Sequence, residues 1–138
     1  MSLVIVDIGK KALLDKLTNV GGVNLVNALA HLYTNNHTPA HGDVLGSYTE
    51  ASYGGYAAQT LSGWPASSLN GSNRAASTAG TVTFSNTSGS GQSVYGWFLT
   101  DSTGVTLIGA ELFTGGPITL PSGFAFALQV TFTEQSEF

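Results

Sequence analysis

The last part of the chain has the most regular alternation of hydrophobic and polar positions. Apolar residues occupy every second place there: Phe124, Phe126, Leu128, Val130 and Phe132. Ala, Gln and Thr fill the places between them, which predicts a β-strand with one face in a core. The same two-residue period predicts another strand over Thr81–Ser85.

The segment Gln92–Phe113, QSVYGWFLTDSTGVTLIGAELF, predicts a hairpin of two strands that are apolar on both faces. Asp101–Gly104 supplies the turn between them. Such a hairpin is either central in a sandwich and covered on both sides, or it offers one face to a partner. The sequence leaves both alternatives open.

Near the start of the chain, apolar residues three and four positions apart predict one α-helix over Asp7–Asn19, with Asp7 as its N-terminal cap. The apolar stretch Leu3–Val6 ahead of it is too short for a signal-peptide core or a membrane span. We therefore expect a chain that is made in the cytoplasm and has no membrane anchor.

The middle of the chain has weaker patterns. We interpret Leu25–Tyr33 and Tyr53–Leu61 as strands on either side of a loop, Asn35–Gly46, that is rich in Asn, Pro and Gly. Gly63–Gly80 is predicted to be irregular. A loop of that length inside a compact domain is usually functional or mobile.

These elements predict a mainly β fold, an antiparallel β-sandwich or jelly-roll-like domain with one short N-terminal α-helix. The 138 residues are enough for one globular domain. Within it we expect an N-terminal arm and helix at residues 1–22 and the β-sandwich at residues 23–138.

Charged residues make up only 9% of the chain, and the net charge is −4. The cationic residues are too few for nucleic-acid binding: Lys10, Lys11, Lys16 and Arg74. Without cysteine the chain has neither disulfides nor thiolate metal ligands. So low a charge fits a surface that is largely covered by neighbours, because charged side chains are depleted at interface cores.

Residues that carry chemistry are sparse. His37 and His41 are four positions apart, but a proline interrupts them in a loop, so we expect no metal site and no cofactor. Neither a nucleophile elbow nor a pair of catalytic acids occurs, so we expect no enzyme. One rival function is a carbohydrate-binding module in which Trp64, Tyr53 and Tyr56 stack on sugars.

Three segments of the chain resemble small virion proteins of tailed bacteriophages: KALLDKLTNV, NLVNALAHLYTNNHTPAHGDVLGSYTEASYGGYAAQTL and YGWFLTDSTGVTLIGAELF. The similar patterns are L-Y-x-N-x-x-T-P at residues 32–39, T-E-A-x-Y-x-G-Y-A at 49–57 and Y-G-x-x-x-T-D-S-T-G at 95–104. The similarity extends from about Lys11 to Phe132.

Among virion proteins the chain is most similar to capsid decoration, or cement, proteins. The resemblance implies a non-enzymatic protein on the capsid surface, often a homotrimer, that binds the major capsid protein across the seams between capsomers. Binding only the mature lattice would stabilise that lattice by mass action. A tail, baseplate or fibre-associated protein is the alternative.

Seven residues are candidate partner contacts on this interpretation: Leu3, Val4, Ile5, Val6, Trp64, Tyr95 and Trp97. The first four form an apolar arm that we expect to add a strand to the sheet edge of a neighbour. Trp64 lies in the long loop. Tyr95 and Trp97 belong to the two-sided hairpin, which we expect to supply an apolar patch between protomers.

Overall fold

The computed structural model describes residues 3–17, 21, 25–69 and 75–134. This part of the chain is mainly β, with one α-helix and several antiparallel sheets. The helix is α1 (Asp7–Leu17), and a short 3-10 helix covers Leu45–Ser47. The strands are β1 (Val4–Ile5), β2 (Leu29–Tyr33), β3 (Gln59–Thr60), β4 (Ser68–Leu69), β5 (Ala75–Thr78), β6 (Val82–Ser85), β7 (Gln92–Val94), β8 (Gly96–Thr100), β9 (Leu107–Leu112), β10 (Ile118–Leu120), β11 (Ala125–Leu128) and β12 (Thr131–Glu134).

The largest sheet has five strands in the order β1-β9-β8-β2-β3, all antiparallel. The predicted hairpin lies at its centre as β8 and β9. Asp101 begins the turn as expected, since its carboxylate accepts hydrogen bonds from the backbone N–H groups of Val105 and Thr106 at 3.0 Å each.

Three smaller sheets, β10-β7, β11-β6 and β12-β5-β4, share a hydrophobic cluster with one face of the five-stranded sheet. The main hydrophobic core fills the space between them. Leu32 and Leu99 reach it from the large sheet, and Phe84, Val94 and Leu128 from the smaller ones. This layering gives the sandwich-like architecture that the alternating pattern predicted.

The other face of the large sheet carries a second cluster: Val6, Tyr33, Tyr48, Phe98, Leu107 and Ala110. Val6, directly before helix α1, and Tyr48 cover this face, whereas Leu13 of the helix packs against the main core. The helix comes so close to β9 that a Cβ at Gly9 would collide with the backbone of Ile108. The hairpin is therefore covered on both sides, which selects the first of its two alternatives.

The N-terminal arm is part of this sheet rather than a free extension. Val4 pairs with Ala110, Ile5 pairs with Gly109, and Val6 is completely buried. The strand addition that we expected on a neighbour takes place within the chain, because β9 presents an edge beside the arm. Trp97 is likewise a core residue, 4% exposed, and so cannot supply a patch between protomers.

Helix α1 confirms the prediction over Asp7–Leu17, and the last two residues of the predicted helix lie outside the described part. The predicted strand Leu25–Tyr33 begins only at Leu29, and Tyr53–Leu61 contains only the short β3. The prediction that Gly63–Gly80 is irregular was wrong where β4 and β5 form. Residues 70–74 of that segment lie outside the described part.

Candidate functional site

A buried histidine connects three segments of the chain. The Nδ1 of His31 lies 2.7 Å from Oε1 of Glu50, and its Nε2 lies 2.9 Å from Oγ1 of Thr100. The phenol O–H of Tyr56 also donates to the Glu50 carboxylate at 2.9 Å, and it accepts the backbone N–H of Leu32 at 3.1 Å. The result is one hydrogen-bonded network across β2, β8 and residues 50–56.

Hydroxyl, imidazole and carboxylate follow each other here in the order used by catalytic triads. The surroundings do not suit that chemistry. Thr100 is completely buried, and the ring of His31 stacks on Phe98 with centroids 4.5 Å apart and planes 4° apart. Because a substrate carbonyl has no approach to the Thr100 hydroxyl, we interpret the network as a structural connection between strands.

A second network is centred on Asp43. Its Oδ2 accepts hydrogen bonds from the phenol of Tyr48 at 2.6 Å, the ring Nε2 of His37 at 2.8 Å and the backbone N–H of Ala40 at 2.9 Å. Burial favours the neutral acid, but these three donors outweigh it and hold the pKa of Asp43 below its usual value. Burial and the neighbouring carboxylate both raise the pKa of Tyr48.

Stacked rings connect the two networks. Tyr48 stacks on Phe98 at 5.3 Å, and His37 meets Tyr48 edge-on at 5.2 Å. Aromatic pairs at such distances contribute about 0.5–1.5 kcal/mol each beyond their buried area. The row His31–Phe98–Tyr48–His37 fixes the loop 35–48 against the large sheet.

The two histidines that were considered as metal ligands, His37 and His41, have different partners. His37 bonds Asp43, whereas Nδ1 of His41 lies 3.2 Å from the carbonyl oxygen of Ile5 and 3.3 Å from Nζ of Lys10. Among the residues described, no three His, Cys, Asp or Glu side chains are grouped as a metal site requires.

The aromatic residues of the carbohydrate hypothesis pack inward. Tyr53 is buried, and Tyr56 and Trp64 pack against the main core. Trp64 also donates its indole N–H to the carbonyl of Leu25 at 3.0 Å. These three rings therefore do not present a flat, exposed platform to a sugar.

Tyr95 lines a shallow, open cleft of about 630 Å³ at the end of the hairpin. The other lining residues are Asn36, Leu112, Phe113, Thr114, Gly115, Gly116 and Pro117. The lining is mostly apolar and contains no charged side chain. Of the seven candidate contacts, Tyr95 is the one that the structure places in a cleft, while Trp64, Trp97 and the arm lie against the protein's own core and sheet.

Sequence reasoning did not find the partners of His31 or the remaining residues of the cleft. His31 is 19 residues from Glu50 and 69 from Thr100, and only the register of β2 against β8 brings Thr100 into reach. The cleft is formed where Asn36 approaches residues 112–117, which no local pattern indicates.

No protein-family model matches this chain, and no curated protein matches it. In the described ranges, no helix has the length and apolar character needed to cross a lipid bilayer.

Proposed function

We propose that this chain is a non-enzymatic structural protein of a tailed-bacteriophage virion, a capsid decoration protein that binds the outside of the mature head. One observation carries the proposal: the three patterns behind the resemblance, at residues 32–39, 49–57 and 95–104, contact one another in the fold. The carbonyl of Tyr33 in the first pattern accepts the backbone N–H of Tyr95 in the third at 2.8 Å, and Tyr33 is bridged to Glu50 in the second.

The side chains that could do chemistry act as structural connections in this unit. His31 and Glu50 join two strands to a loop, and His37 and Asp43 close the loop that precedes Tyr48. Their hydrogen-bonding capacity is directed inward. This arrangement supports a protein that acts by contact and not by catalysis.

We place the contact with the major capsid protein at the cleft around Tyr95. Its mostly apolar, uncharged lining suits burial against another protein, because interface cores are depleted in charge and enriched in aromatic residues. Tyr95 itself is half-buried, so its ring offers apolar area at little cost in side-chain entropy.

The test uses shells assembled from the major capsid protein encoded by the same genome. Wild-type protein is expected to co-sediment with mature shells to saturation and to raise their temperature of disassembly. Tyr95→Ala is expected to weaken binding at least tenfold, while Val105→Ala, which trims an exposed side chain in the hairpin turn, leaves it unchanged. Binding to purified tails instead of shells would replace this proposal by the tail-associated alternative.

A further inference from the structure

Among the residues that the structure describes, one long strand is paired along only one of its sides. β11 and β12 follow each other over residues 125–134 and pair with β6 and β5. Between the pairs Leu128–Val82 and Thr131–Thr78, the strand has two residues and its partner has three. The extra residue therefore forms a bulge in the inner strand, which consists of β5 and β6. The outer strand, β11 and β12, continues without a bulge.

The hydrogen-bond pattern shows which backbone groups point outward. Asn86 donates its N–H to the carbonyl of Phe124, and Ala79 donates to that of Val130, so the even-numbered residues bond inward. In an antiparallel pair the alternate residues direct N–H and C=O away from the partner. Those residues also have exposed side chains: Ala125, Ala127, Gln129, Thr131 and Thr133.

This edge lacks the features that usually protect an exposed strand. Such edges carry lysine, proline or an outward bulge, and none of these occurs in residues 124–134. None of the outward-pointing backbone groups of residues 125–133 bonds another described residue. Apolar rings lie beside it as well, since Phe124 is 63% exposed and Phe126 and Phe132 are half-buried.

We infer that this edge binds the same edge of a second copy of the chain, antiparallel, about a two-fold axis at Gln129. Residues whose backbone groups point outward must lie opposite each other, and these are the odd-numbered ones. In an antiparallel pair the two residue numbers of every opposed pair have the same sum. The register with the sum 258 gives the longest overlap, with Ala125 opposite Thr133 and Ala127 opposite Thr131. Five N–H groups from each strand then donate across the seam, which makes about ten hydrogen bonds.

The same register matches the side chains on both faces of the joined sheet. Phe126 lies opposite Phe132 of the second copy and Leu128 opposite its Val130, so apolar residues meet apolar residues. This self-complementarity favours a second copy as the occupant, and the inference does not depend on the proposed function.

Cysteine cross-linking tests the register, because the chain contains no cysteine of its own. Gln129→Cys places two thiols opposite each other at about 5.5 Å between Cα atoms, within disulfide range. Thr83→Cys is the matched control. Thr83 is also exposed but pairs with Ala127, one strand further in, so its two copies are three strand spacings apart and offset by four residues, roughly 20 Å in all. Mild oxidation is expected to give a covalent dimer from Gln129→Cys and not from Thr83→Cys. Equal cross-linking of both, or of neither, overturns the inference.

The mass in solution gives a second, independent result. Light scattering of the wild type is expected to give the mass of two chains. The measurement is made at about 0.1 mM, a concentration at which association with a micromolar Kd is detected. Ala127→Pro removes an outward N–H but no bond to β6, so it is expected to give a folded monomer by circular dichroism. A wild-type monomer, the trimer that the resemblance implies, or pairing with a strand of another protein would each overturn the inference.

Discussion

Tyr33 lies directly over Gly96, so that a Cβ on the glycine would be 2.6 Å from the tyrosine hydroxyl oxygen. Tyr33 is completely buried, and its O–H donates to the carbonyl of His37 at 3.1 Å. A glycine at this place in β8 lets the ring cross the central strand and reach the loop beyond it. The contact thereby connects two of the segments that resemble virion proteins.

Gly96→Ala is expected to destabilise the protein by about 1–3 kcal/mol, the usual cost of forcing extra volume into a packed site. The new methyl group would meet the backbone carbonyl of Glu111 as well as Tyr33, and backbone cannot move aside easily. Urea unfolding at neutral pH measures the change. Gly89→Ala is the control, because nothing lies within 4 Å of its Cβ position; equal effects at the two sites would contradict the packing argument.

Thr100→Val tests the buried histidine network. Valine keeps the shape of threonine but removes the hydroxyl partner of His31 Nε2, and leaving a buried polar group unpaired costs about 1–3 kcal/mol. The same exchange at the exposed Thr83 of β6 is expected to leave the stability unchanged or to raise it slightly. Chemical denaturation of both variants distinguishes a hydrogen-bond effect from a general effect of valine.

Tyr53 and Tyr56 lie edge-on at 5.3 Å but differ in what their hydroxyl groups do. The Tyr53 hydroxyl is buried and has no hydrogen-bond partner among the described residues, whereas that of Tyr56 joins Glu50 and Leu32. Tyr53→Phe is therefore expected to be neutral or stabilising, and Tyr56→Phe to cost roughly 1–3 kcal/mol. Thermal unfolding of the pair checks this, and the reverse order of melting temperatures would contradict it.

The elements that could be predicted are those whose signal is local. The helix starts at Asp7, and the hairpin turns at Asp101, because such signals depend on residues within a few positions. Asp7 is the first helical residue and not the cap that we expected, since the carbonyl of Val6 accepts the N–H of Lys10. The alternation after Phe124 also holds from Phe126 onward. It could not show that Phe124 itself is exposed, since it lies just ahead of β11, which begins at Ala125.

The elements that were missed depend on pairing between distant residues. β5 has the sequence AAST, with no large apolar residue, and it is a strand because β12 lies beside it. Whether the two faces of the hairpin are covered also depends on residues that are distant in sequence. Two apolar faces were evident in the sequence, but only the packing of Val6 and Tyr48 decides that both are covered.

Val6→Ala tests whether the N-terminal arm belongs to the core. Val6 is completely buried, and its N–H donates to the carbonyl of Ile108 at 3.2 Å. Removing two methyl groups is expected to cost about 2 kcal/mol, from roughly 0.8 kcal/mol per buried carbon plus the cavity left behind. Val105→Ala, at a 72% exposed position, is the control. An unchanged unfolding midpoint for Val6→Ala would restore the arm as a free docking segment.

The Asp43 network predicts a specific loss of stability in acid. The folded-state pKa of Asp43 is lowered, so its contribution is fully present above the unfolded value, ordinarily near 3.8, and disappears as the pH falls through the folded value. We expect the contribution of Asp43 to the free energy of unfolding to be constant between about pH 5 and 8 and to decline below about pH 4. Asp43→Asn is expected to be less stable than the wild type at pH 7, and the difference between the two should shrink by pH 3. A difference that stays constant over this range would mean that the carboxylate charge does not stabilise the loop.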